Sequence, residues 1–305
     1  ESKLAAIVTG RDAFSPQAVW EKMVEQTRNL GRPGITSMAI AAVDTALWDL
    51  KARVLGLPLC KLLGMAHERV PVYGSGGFTP YSMERLAEQL SGWVEQGIPR
   101  VKMKVGSQPD LDPERVKVAR AAIGPNARLF VDANGAYSRK QALDLAERFA
   151  DDGHVTWFEE PVSSEDLEGL RLLRDRAPAG MEIAAGEYGD DAPYFRRMIE
   201  AGAVDVLQAD VTRCGGITEL MRVGALCRAH NLPLSLHCGP AIHLHPATAI
   251  EQFVHLEYFH DHVRIEQMLF DGVLEPTDGA LAPDLDRPGL GLEFKRSDAE
   301  RYAAA

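Results

Sequence analysis

Three carboxylates stand one repeat apart in this 305-residue chain, each closing an apolar run. Asp132 ends Phe130-Val131-Asp132, Glu159 ends Trp157-Phe158-Glu159, and Glu187 ends Ala185-Gly186-Glu187. The intervals are 27 and 28 residues. Short apolar runs separated by one helical segment read as parallel strands with crossover helices. Parallel strands put their C-terminal ends side by side, so the three acids would surround one point. Oxygen donors with no cysteine among them suit a hard divalent cation, Mg2+ first and Mn2+ second. A single such acid favours a mere cap of the next helix, as Asp132 before Asn134-Gly135 does in isolation. Three in successive strands favour a metal.

The same rhythm continues on both sides. Strands are read near 70–75, 100–105, 128–132, 155–159, 182–186, 204–209, 233–237 and 254–258. Helices are read near 82–96, 112–123, 138–151, 165–176, 192–201, 216–230 and 241–250. This alternation predicts an α/β fold, a modified TIM barrel of (β/α)7β form, over residues 69–262. The repeats share no signature beyond the terminal polar residue, which argues against a solenoid. Residues 1–68 read as helical. Ser15-Pro16 is expected to cap and open one helix, and an apolar helix, mostly buried, is expected from Ser37 to Leu55. Residues 263–305 carry turns such as Asp278-Gly279 and Pro288-Gly289, and are expected to pack back on the helical region.

The net charge is −11, and no block of Lys or Arg stands out. Nucleic acid and anionic membrane surfaces are therefore not expected partners. A small anionic substrate stays open, because a bound cation reverses the local field. Cys60, Cys214, Cys227 and Cys238 form no C-x-x-C pair, which fits a reduced, cytoplasmic setting. There is no run of 18 apolar residues for a membrane span, and no signal peptide is visible from Glu1 onward.

The active face of a parallel barrel lies at the C-terminal strand ends. There strand 2 offers Lys102 and Lys104, strand 3 Asp132 and Asn134, strand 4 Glu159, and strand 5 Glu187. Strand 6 offers Asp210, strand 7 His237 and strand 8 Glu257. Lys102 and Lys104 are two apart and so share a face, which would be a solvated edge elsewhere but is the mouth in a barrel strand. Lys104, beside Lys102 and a cation, is expected to have a lowered pKa and to act as a base. Asp210 is expected to fix the tautomer of His237, on the opposite side of the mouth. His243 and His245 read as structural, and His260 and His262 as lying past the last strand. Arg213 reads equally as a loop charge or as a substrate contact.

Together Lys102-x-Lys104, Asp132-x-Asn134, Glu159-Glu160-Pro161, Gly186-Glu187, Asp210 with Gly215-Gly216, His237 and Glu257 resemble the enolase superfamily, in its mandelate racemase-like subgroup. The resemblance runs from about residue 36 onward. It implies Asp132, Glu159 and Glu187 as Mg2+ ligands, with Lys104 and the His237–Asp210 pair as acid/base catalysts. It implies Lys102 on the substrate carboxylate, Asn134 near its 2-hydroxyl, and Glu257 as a protonated hydrogen-bond donor to the enediolate. It makes 1–68 the helical part of a capping domain whose β-meander is not seen before Glu1. An even-numbered homo-oligomer is the family's habit.

The activity so implied is Mg2+-dependent dehydration of an acid sugar to a 2-keto-3-deoxy acid, a hydro-lyase reaction. A racemase or epimerase of a 2-hydroxy acid would use the same residues, and a barrel that only binds metal or sugar acid is a third reading. Cycloisomerases stand further off, because that branch places a lysine on strand 6, where this chain has Asp210.

Overall fold

The computed structural model describes residues 2–302. Four helices come first: α1 (Ser2–Val8), α2 (Pro16–Thr27), α3 (Ile35–Val54) and α4 (Leu59–Leu63). Pro16 opens α2, where its missing N–H costs nothing. Ser15 does not cap the helix as expected, because its hydroxyl donates to Asp12 at 3.0 Å instead. α3 starts two residues before the expected Ser37. The Ser37 hydroxyl lies in the first turn and donates to the Asp190 carbonyl at 2.8 Å, tying this helix to the barrel.

The barrel alternates strands and helices in order. They are β1 (Val70–Gly76), α5 (Met83–Glu95), β2 (Arg100–Lys104), α6 (Asp112–Ile123), β3 (Arg128–Asp132), α7 (Arg139–Gly153), β4 (Val155–Glu159) and α8 (Leu167–Arg176). Then follow β5 (Glu182–Ala185), α9 (Ala192–Glu200), β6 (Val206–Ala209), α10 (Ile217–His230), β7 (Leu234–Leu236), α11 (Pro240–Ala249), β8 (Phe253–Phe259) and α12 (His260–Leu269). Each strand pairs in parallel with the next, and β1 pairs in parallel with β8, which closes the ring. The expected boundary at residue 262 falls inside α12. No Gly or Pro separates β8 from α12, so the sequence carries no break there.

Side-chain alternation decides what faces where. Val101 and Met103 on β2, with Val105 just past it, join the large core between sheet and helices. Lys102 and Lys104 therefore point into the barrel. Register then sets Lys104 beside Asp132, and Asp132 beside Glu159. Beneath these charges Tyr73, Phe130, Trp157, Ala184 and Val206 plug the interior. The Phe130 and Trp157 rings stack at 5.4 Å, and His255 sits edge-on to Trp157 at 4.9 Å. This apolar floor keeps water from below and strengthens every charge interaction above it.

After α12 the chain forms β9 (Phe270–Asp271), β10 (Ala280–Leu281) and β11 (Glu293–Phe294). β10 pairs antiparallel with the start of β1, and β11 with β9. The segment between α12 and β11 meets the helical region directly. Gly289 N–H donates to the Leu57 carbonyl at 2.9 Å, and Leu59 N–H donates to the Gly289 carbonyl at 2.7 Å. A side chain at Gly289, at φ 70°, would meet Asp49 at 2.2 Å, so this crossing requires glycine. Among the described residues no helix is long and apolar enough to cross a membrane.

Candidate active site

Asp132, Glu159 and Glu187 converge at the mouth, buried, with ligand oxygens within 4.8 Å of one another. Each carboxylate has one oxygen held from behind. Lys104 Nζ contacts Asp132 Oδ2, Lys102 Nζ donates to Glu159 Oε2 at 2.6 Å, and Arg213 Nη1 donates to Glu187 Oε1 at 3.1 Å. Trp157 Nε1 adds a second bond to Glu159 Oε2 at 3.0 Å. Asp132 Oδ1 accepts from Asn134 N–H at 2.9 Å, so part of the local turn role open to Asp132 is also realised.

The residues fit a divalent cation. Glu159 Oε1 and Glu187 Oε2 are buried without any hydrogen-bond donor, although His237 Nε2 stands 3.2 Å from the latter. Burial, then the charge of Asp132, pushes Glu159 up to about 8. Such crowding of unsatisfied acid oxygens is relieved by a cation that accepts only oxygen.

Lys104 and Asn134 border a cavity of about 390 Å³ together with Phe78, Thr79 and Ser107. Asn134 Oδ1 accepts from Lys104 Nζ at 3.0 Å. The expected lowering of Lys104 presupposes a bound cation; the chain's own groups alone act the other way. Burial pulls its ammonium down, but the Asp132 carboxylate outweighs that, and the pKa lies above the ordinary value. Lys102 is the residue expected on the substrate carboxylate. It is wholly buried, engaged by Glu159 and by Glu257 Oε1 at 2.9 Å, with Asp132 at 3.5 Å. Its contacts here are with carboxylates of the chain, which it orients.

His237 Nδ1 lies 2.8 Å from Asp210 Oδ2, leaving Nε2 for the mouth. Burial lowers the His237 pKa, but Glu187 and the bond to Asp210 outweigh it and raise it to about 9. β2 and β7 are three places apart in the ring, so Lys104 and His237 approach the mouth from well-separated strands. Glu257 lies within β8 rather than at its end. Its expected protonated form is not what the surroundings favour. Burial pushes the acid up, but Lys102, then His237 and Lys104, hold it well below the usual carboxylate range. Arg213 turns to Glu187 and, at 3.7 Å, to Asp210, with its guanidinium over the Tyr188 ring.

Two residues at the mouth were not singled out from sequence. Glu160 is buried in a left-handed backbone at φ 41°, its Oε1 unpaired. Burial, then Glu187, raises it to about 10. The doubled acid before Pro161 was the available signal. Cys238, at φ 51°, brings its sulfur to 3.1 Å from His237 Nε2. Nothing in its sequence context marks it. His243 and His245 are tied to backbone: His243 Nε2 accepts from Val211 N–H at 2.8 Å, and His245 Nδ1 accepts from Cys60 N–H at 3.1 Å. His260 and His262 lie on α12, and His262 Nδ1 accepts from Gly239 N–H at 3.0 Å.

Comparison with known proteins agrees with this geometry. Residues 85–299 match the family described as enolase C-terminal domain-like. Residues 1–64 match the mandelate racemase / muconate lactonizing enzyme N-terminal domain. A mandelate racemase/muconate lactonizing enzyme-like protein from Rubrobacter xylanophilus is 61% identical, with TM-score 0.97, over 99% of this chain and 84% of that one. L-talarate dehydratase from Polaromonas sp. JS666, solved with Mg and L-glucarate, is 32% identical with TM-score 0.88, over 98% and 82%. D-galactarolactone cycloisomerase of Agrobacterium fabrum (strain C58 / ATCC 33970) is 30% identical over 94% of this chain and 79% of its own length. The chain belongs to the mandelate racemase / muconate lactonizing enzyme family of the enolase superfamily.

Proposed function

We propose that this chain is a Mg2+-dependent hydro-lyase acting on an acid sugar. The observation that carries the reading is the joint presence of three converging acid ligands, Lys104 and an Asp210-oriented His237 around one mouth. Asp132, Glu159 and Glu187 would hold the cation, Mg2+ by the oxygen-only donor set and by the relative solved with Mg. Bound there, the cation offsets the charge of a substrate carboxylate and makes the neighbouring C–H more acidic.

The chain's own groups do the rest. Lys104 and His237 serve as base and acid at C2, next to that carboxylate, and at C3 beyond it. One takes the proton from C2, and the other gives a proton to the departing 3-hydroxyl. The C2–H and C3–O bonds break, the C2–C3 double bond forms, and water leaves. The resulting enol becomes the 2-keto-3-deoxy acid. Asp210 keeps the Nδ1 proton of His237, so Nε2 is the working nitrogen. Lys102 and Glu257 hold each other and the back of the metal site. Asn134 and the cavity beside it face the rest of the substrate. The residues of the mouth also allow proton transfer without loss of water, as in a racemase or epimerase. A cycloisomerase among the relatives keeps that outcome open too, despite the absence of a strand 6 lysine.

Incubation with aldonic and aldaric acids in Mg2+, followed by a 2-keto acid assay, tests the reading. Keto acid from at least one acid sugar is expected. Exchange of the C2 proton with deuterated water and no keto acid would assign racemisation instead, and neither from any acid would remove the proposal.

A further inference from the structure

We infer that His237 Nε2, Cys238 Sγ and Glu257 Oε2 form a second metal site, for a thiophilic divalent cation such as Zn2+, whose occupancy withdraws His237 from catalysis. The inhibitory part rests on the proposed function; the binding part does not. Successive strand residues normally face opposite ways. The left-handed backbone at Cys238, just past β7, turns its side chain back beside His237. That conformation costs a non-glycine residue about 1 kcal/mol or more. It leaves three different donor atoms together. Sγ is 3.1 Å from Nε2 and 3.4 Å from Oε2, and Nε2 is 3.8 Å from Oε2. Zinc bonds of about 2.3 Å to sulfur and about 2.0 Å to nitrogen and oxygen, in a tetrahedron, require donor separations of roughly 3.3–3.6 Å. The three distances bracket that range, with the fourth position open.

The supporting contacts of a metal site are also in place. Asp210 holds His237 Nδ1 at 2.8 Å, the usual outer partner of a metal-bound imidazole. Lys102 holds the other oxygen of Glu257 at 2.9 Å, and Cys238 N–H donates to Oε2 at 3.1 Å. Softness separates the sites: sulfur and imidazole select a zinc-like ion, and the oxygen trio selects magnesium. Binding is ligand exchange without redox. The Cys238 S–H bond breaks and, in the imidazolium form, so does the His237 Nε2–H bond; the protons go to solvent, and the freed lone pairs of sulfur and Nε2 go to the metal.

The test titrates the full chain with CdCl2 in saturating MgCl2 and reads thiolate-to-metal charge-transfer absorption in the ultraviolet. Cys60, Cys214 and Cys227 are buried outside any cluster of three metal-ligating groups among the described residues, so the signal reports Cys238. One equivalent of absorption per chain is expected. It should vanish in Cys238→Ala and Cys238→Ser, two variants that guard against misfolding in one. Zn2+ should inhibit turnover reversibly by chelator, and each variant, scaled to its own metal-free rate, should need at least ~10-fold more Zn2+ for half inhibition. Absent absorption, or absorption that survives in both variants, overturns the site. So does inhibition by Zn2+ without that absorption, since it would place Zn2+ on the oxygen trio. The absorption is independent of which substrate the enzyme takes, so failure of the dehydratase reading leaves it intact.

Discussion

At the residue scale, the site consists of charges that restrain one another. Lys102 is the clearest case, a fully buried ammonium between Glu159 and Glu257. Removing one member of a buried ion network leaves its partners uncompensated. Lys102→Met should therefore lower stability by ~3 kcal/mol or more in urea titrations; a change under ~1 kcal/mol would show the network to be dispensable. Asp210→Asn should leave the fold intact but lower kcat by ~100-fold or more, because Nδ1 loses the acceptor that sets the tautomer. Loss of only KM in that variant would contradict the role given to the pair. Most of these residues were legible as strand-end polar groups. Their protonation was not, because it depends on neighbours from other strands: Asp132 beside Lys104, and Lys102 beside Glu257. Cys238 was hidden for a related reason, since only a local backbone twist turns it toward His237.

At the element scale, the strands and helices were legible because their apolar periods are regular. What escaped were junctions without Gly or Pro, as between β8 and α12, and hydroxyls whose partners are distant, as Ser37 with Asp190. The joint between α4, α11 and the C-terminal segment is another such place. His245 on α11 accepts from Cys60 N–H through Nδ1, and its Nε2 lies 3.1 Å from the Leu290 carbonyl. Burial lowers its pKa to about 4. The folded chain thus binds this proton less readily than the unfolded chain, where the value is about 6.5. The stability gained is full above the unfolded value and falls as pH drops toward the folded one. Between pH 7 and pH 5 this single group should remove about 2 kcal/mol. Denaturant titrations of the parent and His245→Asn at both pH values check it. The parent should lose more on acidification than the variant; equal losses would mean that His245 does not titrate as placed.

At the scale of the whole molecule, a barrel plugged by aromatic rings carries an acidic mouth, and an N-terminal helical region packs against the barrel loops. The architecture follows from the alternation of short strands and helices, and the mouth from which strand residues face inward. A mouth with buried, unpaired acid oxygens should be stabilised by the cation that fits it. Saturation with Mg2+ at about 100 times Kd should add about 2.7 kcal/mol of stability, seen as a raised Tm. Glu159→Gln and Glu187→Gln should each weaken that rise, and a rise unchanged in both would move the metal elsewhere. The central claim is that Lys104 and His237 move the proton next to a substrate carboxylate. The most direct measurement is mass-spectrometric uptake of deuterium, at C2 of recovered substrate or at C3 of the keto-acid product, in deuterated water with Mg2+, across aldonic and aldaric acids. It compares the parent with Lys104→Met and His237→Asn. The expected result is isotope uptake, in substrate or product, by the parent and its loss by ~100-fold or more in at least one variant for each active acid. Uptake at the parental rate in both variants would contradict the account.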